Sequence, residues 1–320
     1  MVVKTLKELE KLLGGRLTSP EHADLCVNRI AGLDGVLKES DSAVTFAEDG
    51  GSLRKAAERG FKAALISGKL AEELPEGLPA LIVENPRIAY AALLSLFYPR
   101  RKYKAGIHKS AVIAEDANID PSVYVGPCAV IESGCTVEPG CEIHAGVYLG
   151  RGCRIGSRTR ILANASVLEG SSLGKNSLIG PLSVIGPQAE LGDDIEMGAR
   201  CQVSSCKIGA GSRLDNMACI AEGAVLEPLT IIIAQACLQK NVHIGKLAIV
   251  TGQSLVDEGR SVGAYATAAA RAHVSEDIPE GQNVWSGSPA MPHKAYMRSV
   301  IQRQTALKYW EELKKEKNNQ

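Results

Sequence analysis

Residues 177–198 read SLIGPLSVIGPQAELGDDIEMG, with Ile179, Ile185, Leu191 and Met197 six residues apart and each followed by glycine. A helix repeats every 3.6 residues and a half-buried strand every 2, so neither accounts for this beat. Working outward, the phase holds from Ile107 to Val203 through seventeen large aliphatics without a miss. One residue is dropped in VSSCK (203–207), and the beat resumes from Ile208 to Val262. Chance does not hold such a register, so the repeat dominates the reading.

A chain that bends every six residues closes a three-sided coil of eighteen. Successive coils then stack about 4.8 Å apart through parallel ladder bonds. Each aliphatic points into the prism. The residue four places later also points inward and must be small, as at Ala129, Cys135, Cys141, Cys153, Thr159, Ala165 and Ser171. Cys135, Cys141, Cys153 and Cys201 are therefore expected to be small core residues rather than redox or metal groups. The glycine after many aliphatics is expected to serve a sharp corner. The fold class is mainly β: a parallel β-helix of hexapeptide repeats over 104–279, preceded by a small α/β domain over 1–103 and followed by a C-terminal extension over 280–320.

In the first domain, TLKE (5–8) is a capping-box pattern. Leu6, Leu9, Leu12 and Leu13 then make one helical face, which Gly14–Gly15 should end. A second helix is expected to finish at Gly60, strands over 62–67 and 80–83, and a third helix from Asn85–Pro86 to a point before Pro99. RRKYK (101–104, the first arginine being residue 100) reads as a connection. From about Pro292 a terminal helix carries Met297, Val300, Ile301, Leu307, Trp310 and Leu313 as a stripe among lysines and arginines.

Lys+Arg and Asp+Glu are equal at 36 each and aromatics are 4%, which argues against a nucleic-acid partner. The N-terminus lacks a signal-peptide pattern, and no run of about 18 apolar residues offers a transmembrane segment. Nine unpaired-looking cysteines fit a cytoplasmic setting. His108, His144, His243 and His273 flank strands at corners without the spacing of a zinc site, so neither a metal nor another cofactor is expected.

The domain order, with AVTFAED, ALIVENPRIAYAALLSLF, GIHKSAVIAEDANIDPSVYVGPCAVIESG, LDNMACIAEG and VWSGSPAMPHK in sequence, resembles the UDP-3-O-acylglucosamine N-acyltransferase family of lipid A synthesis. The resemblance implies a left-handed β-helix and a homotrimer with sites between neighbouring prisms. It also implies acyl transfer from acyl carrier protein to the amine of a UDP-linked amino sugar, with the basic terminal helix docking the acidic carrier.

The chain departs from the family where the chemistry lies. The family's general-base histidine falls on Glu222, its oxyanion glycine on Lys240 and its second histidine on Gly259. A carboxylate ordinarily titrates near pH ~4.3, a poor match to an amine. Glu222 is the candidate base. Lys240 either stabilises the oxyanion or pairs with Glu222 one coil away, and His243 is the spare base. The family's substrate-covering loop has no counterpart in the unbroken beat. Phe46 stands where the family stacks uracil, Asp49 replaces its asparagine, Ser52 replaces a tyrosine, and Asn216 matches a substrate-contacting asparagine. The alternative is a catalytically inactive trimeric homologue that binds a nucleotide sugar or a carrier protein. A CoA donor also remains open.

Overall fold

The computed structural model describes residues 2–33, 42–99 and 103–318. Residues 100–102 of the expected connection lie outside the described residues. The chain divides into two compact units, Met1–Lys102 and Tyr103–Gln320.

The first unit is built on β2 (Arg16–Leu17), β4 (Arg29–Ile30), β5 (Ala43–Phe46), β6 (Ala63–Ile66) and β7 (Ala80–Ile82), arranged β2-β7-β6-β5-β4. β4 to β7 run parallel and β2 is antiparallel to β7. β1 (Lys4–Thr5) and β3 (Cys26–Val27) pair separately. Helix α1 (Leu6–Leu13) has its capping box, and Gly14 ends it in the left-handed region at φ 62°. Leu6 and Leu9 are buried, but Leu12 is 58% exposed and lies off the packed face. α2 (Gly50–Glu58) starts at Asp49, and α3 (Pro86–Phe97) starts at Asn85, whose side chain accepts from the Arg87 and Ile88 amides. α1 and α3 bury one face of the sheet and α2 the other, which gives two apolar clusters.

In the second unit, two-residue strands stack into three parallel sheets. The first face begins at Gly106–Ile107, the second at Val112–Ile113 and the third at Asn118–Ile119. Register partners are eighteen residues apart, as in Val125↔Ile143 and Ile143↔Ile161. Across the dropped residue the partners are seventeen apart, as in Glu190↔Lys207, Glu196↔Arg213 and Gln202↔Cys219. Ser204–Cys206 makes that corner one residue shorter, and the Ser205 hydroxyl donates to the Pro187 carbonyl at 2.6 Å. The deletion is absorbed in a corner, so no side chain changes face.

From Val123 onward the aliphatic and small positions form one continuous core through the prism, whereas Ile107 of the first coil is 56% exposed, having no coil beneath it. Where the small position is polar, it bonds vertically. The Ser171 hydroxyl donates to the Gly186 carbonyl at 2.6 Å and accepts from the Ala189 amide at 3.3 Å. The Cys135 and Cys141 thiols donate to the Gly150 and Gly156 carbonyls. Burial is thus compensated by satisfied hydrogen bonds. Burial pushes the thiols of Cys141 and Cys206 up, to about 11 and about 12 respectively, so these cysteines are protonated packing groups.

The corner glycines act differently from the expectation. The left-handed residue lies three places after the aliphatic, as at Gly152 (φ 66°) and Asn164 (φ 58°). The glycine directly after the aliphatic is needed because coils approach closely there. A Cβ on Gly150 would stand 2.7 Å from the Glu169 amide nitrogen. Steric exclusion by the next coil, not a positive φ, fixes that residue.

α4 (His293–Asn318) leaves Ile301, Leu307 and Trp310 59%, 63% and 60% exposed. The expected apolar stripe is therefore uncovered in a single chain.

Candidate functional site

The corner between the second and third faces carries Glu222 and Lys240. Ile220 and Leu238 are stacked register partners, both fully buried, and each side chain of the pair follows its aliphatic by two residues. The Lys240 Nζ lies 3.2 Å from the Glu222 Oε2, with the two side chains 59% and 65% exposed. The Asn241 amide donates to the Glu222 carbonyl at 3.0 Å, and the Gly259 amide donates to the Lys240 carbonyl at 2.9 Å. Backbone hydrogen bonds to the neighbouring coils thus tie the corner on both sides, while the two side chains reach solvent.

His243 opens the third-face strand of the coil that carries Lys240, stacked on Val225. Its Nε2 lies 3.2 Å from the Glu227 Oε1, and the Lys246 amide donates to the other oxygen of Glu227 at 2.8 Å. A backbone amide thus positions a carboxylate that positions an imidazole. The structure joins Glu222 to Lys240 and His243 to Glu227. His273 makes a second such pair, with its Nε2 2.9 Å from the Asp257 Oδ2. Glu227 and Asp257 escaped sequence reasoning. Each lies sixteen residues before its histidine (243 − 227 and 273 − 257), an offset that a search along the eighteen-residue stack passes over.

Asn216 sits at the corner between the first and second faces. Its Oδ1 accepts from the Ala199 amide at 2.8 Å, and its Nδ2 donates to Asp215 at 2.9 Å. It borders a groove of about 480 Å³ whose lining includes Leu162, Leu178, Met197, Ile231, Glu196 and Arg213. Glu222, Lys240 and His243 are not among the residues lining this groove.

In the first unit, the ring of Phe46 packs against Tyr90 of α3, with centroids 4.8 Å apart and planes tilted by 54°. Tyr90 is the aromatic neighbour that the sequence did not single out. The Asp49 Oδ1 accepts from the Ser52 amide at 2.7 Å, and this bond holds its carboxyl below the usual range. Both residues lie at the carboxyl end of β5, where open parallel sheets bind ligands. A crevice of about 810 Å³ at the ends of β6 and β7 adds Arg16, Ser67 and Lys69.

Among the described residues, no group of three or more His, Cys, Asp or Glu could hold a metal ion. Also among them, no helix is long and apolar enough to cross a membrane.

No family model matches the chain. It is 40% identical over 134 residues to the UDP-3-O-acylglucosamine N-acyltransferase of Pseudomonas entomophila (strain L48), a match covering 41% of this chain and 36% of that protein. It is 33% identical over 129 residues to UDP-3-O-acylglucosamine N-acyltransferase 1 of Legionella pneumophila (strain Paris), covering 40% of this chain and 34% of that protein. The matches thus span about a third of the length of these curated relatives. Among solved structures, the Arabidopsis UDP-N-acetylglucosamine acyltransferase superposes with a TM-score of 0.56 at 22% identity, over 58% of this chain and 73% of that one. The shared fold is the left-handed parallel β-helix.

Proposed function

We propose, from the premise that this chain is a relative of the UDP-3-O-acylglucosamine N-acyltransferases, that it transfers an acyl group from a carrier thioester to the amine of a UDP-linked amino sugar. The observation that carries this reading is one coil holding both Lys240 and the Glu227-oriented His243. The amine attacks the thioester carbonyl, and the His243 Nδ1 takes the proton it releases. Lys240, drawn off Glu222, donates to the oxyanion. Collapse forms the amide, and the carrier leaves as a thiol with the proton from His243. Glu222, expected from the sequence as the base, is better suited to holding Lys240 at the corner, because its carboxylate already engages the ammonium.

The carrier is proposed to be acyl carrier protein, whose acidity suits Lys294, Arg298 and Arg303 of α4. A homotrimer is proposed to cover Ile301, Leu307 and Trp310. Phe46, Tyr90 and Asp49 are proposed to receive the uracil, and Arg16 and Lys69 the diphosphate. Incubating the full chain with a UDP-linked acylglucosamine and an acyl-loaded carrier tests the reaction by product mass. Formation of the amide supports it. No amide at stoichiometric enzyme would sink it.

A second reading, a binding module without turnover, is favoured by the mutual neutralisation of Glu222 and Lys240. Thermal unfolding separates the two, since a native-state ligand at 100 times its Kd adds about 2.7 kcal/mol. Stabilisation by the UDP-sugar with no product would favour the module.

A further inference from the structure

Of the four cysteines outside the buried core, Cys26, Cys128, Cys219 and Cys237, two are stacked on one another. Cys219 and Cys237 are register partners on neighbouring coils of the second face. The residue after each, Ile220 and Leu238, is fully buried in the prism, so both thiols point outward. Both are partly exposed, whereas Cys135, Cys141, Cys153, Cys201 and Cys206 are buried. Stacked coils are separated by about 4.8 Å, inside the ~4.4–6.8 Å Cα range that a disulfide spans. The two thiols also feel each other: burial first, then the neighbouring Cys219, pushes the Cys237 thiol up. Each cysteine stands three residues before a member of the Glu222–Lys240 pair.

The geometry points to a thiol–disulfide exchange site, in which Cys219 and Cys237 close into a bridge across adjacent coils with a small-molecule disulfide as oxidant. Burial already pushes the Cys237 thiol up, so the attack is written from Cys219. Its thiolate forms a bond to one sulfur of the small disulfide, whose S–S bond breaks to release one thiolate. Cys237 then gives its proton to solvent and attacks the Cys219 sulfur, expelling the second thiolate. The protein loses two electrons and two protons, and the small disulfide gains both as two thiols. Proximity of the stacked partners drives the second step.

The test treats the 320-residue chain with oxidised glutathione at a concentration that fully modifies exposed Cys26, then maps peptides by mass spectrometry without reduction. The expected result is a Cys219–Cys237 cross-linked peptide two hydrogens lighter than the dithiol, while Cys26 and Cys128 carry glutathione. In Cys237→Ser, Cys219 should instead retain a glutathione adduct. Separate adducts on both cysteines, two free thiols, or links between chains would each overturn the assignment.

Discussion

Removing the Glu222–Lys240 pair separates a structural role from a chemical one. At 3.2 Å, two unit charges in bulk water interact by roughly 1.3 kcal/mol. The side chains are 65% and 59% exposed, so salt and the cost of ordering two long side chains reduce this. A coupling of about 0–1 kcal/mol is expected for such a pair. The assay is a double-mutant cycle of Glu222→Gln, Lys240→Met and both, followed by urea unfolding at low and at 0.5 M salt (an added ~0.5 M taken to screen within several ångströms). The stability coupling should stay below about 1 kcal/mol and shrink with salt. Acyl transfer should behave differently: Lys240→Met should lower kcat by about 10²- to 10³-fold, the usual loss for an oxyanion donor. Glu222→Gln should cost far less. A stability coupling of several kcal/mol would mean that the pair is a buried structural element. An unchanged kcat in Lys240→Met, at saturating concentrations of both substrates, would refute the role given to the ammonium.

Three further outcomes follow from other parts of the molecule. His243→Gln should lower kcat by about 10²- to 10⁴-fold, and Glu227→Gln by less with KM unchanged, as measured by initial rates. Leu238 is fully buried in the prism, so Leu238→Ala should cost about 2–5 kcal/mol in urea unfolding, while Val225→Ala on the exposed face should cost little. The folded-state pKa of Asp49 is depressed, chiefly by the Ser52 amide, so its cap supports α2 above the unfolded aspartate value and is lost as pH falls through the folded one. Protection factors of the α2 amides, taken against the intrinsic exchange rate at each pH, should therefore fall in acid, and Asp49→Ala should show that lower protection already at neutral pH.

The sequence carried the prism further than it carried the site, for reasons visible in particular residues. Ile179, Ile185 and Leu191 report a period directly, because every flat side of the coil must bury one aliphatic. Even the missing residue near Ser205 was legible, since the beat resumes in a new phase. Corner geometry was less so: a six-residue period marks a corner without telling which residue turns, and Gly150 is selected by the backbone of the coil above it. The same limit governs the site. Stacking alone brings residues eighteen apart together, and this exposes Glu222 and Lys240. A histidine on a strand instead reaches diagonally to the following corner of the coil below, which places Glu227 under His243 and Asp257 under His273 at an offset of sixteen. These two pairs follow the diagonal of the lattice rather than its vertical, whereas His144 pairs with Glu142 two residues before it on the same coil, at 3.3 Å. The base proposed here, His243, consequently stands away from the position that stacking predicts.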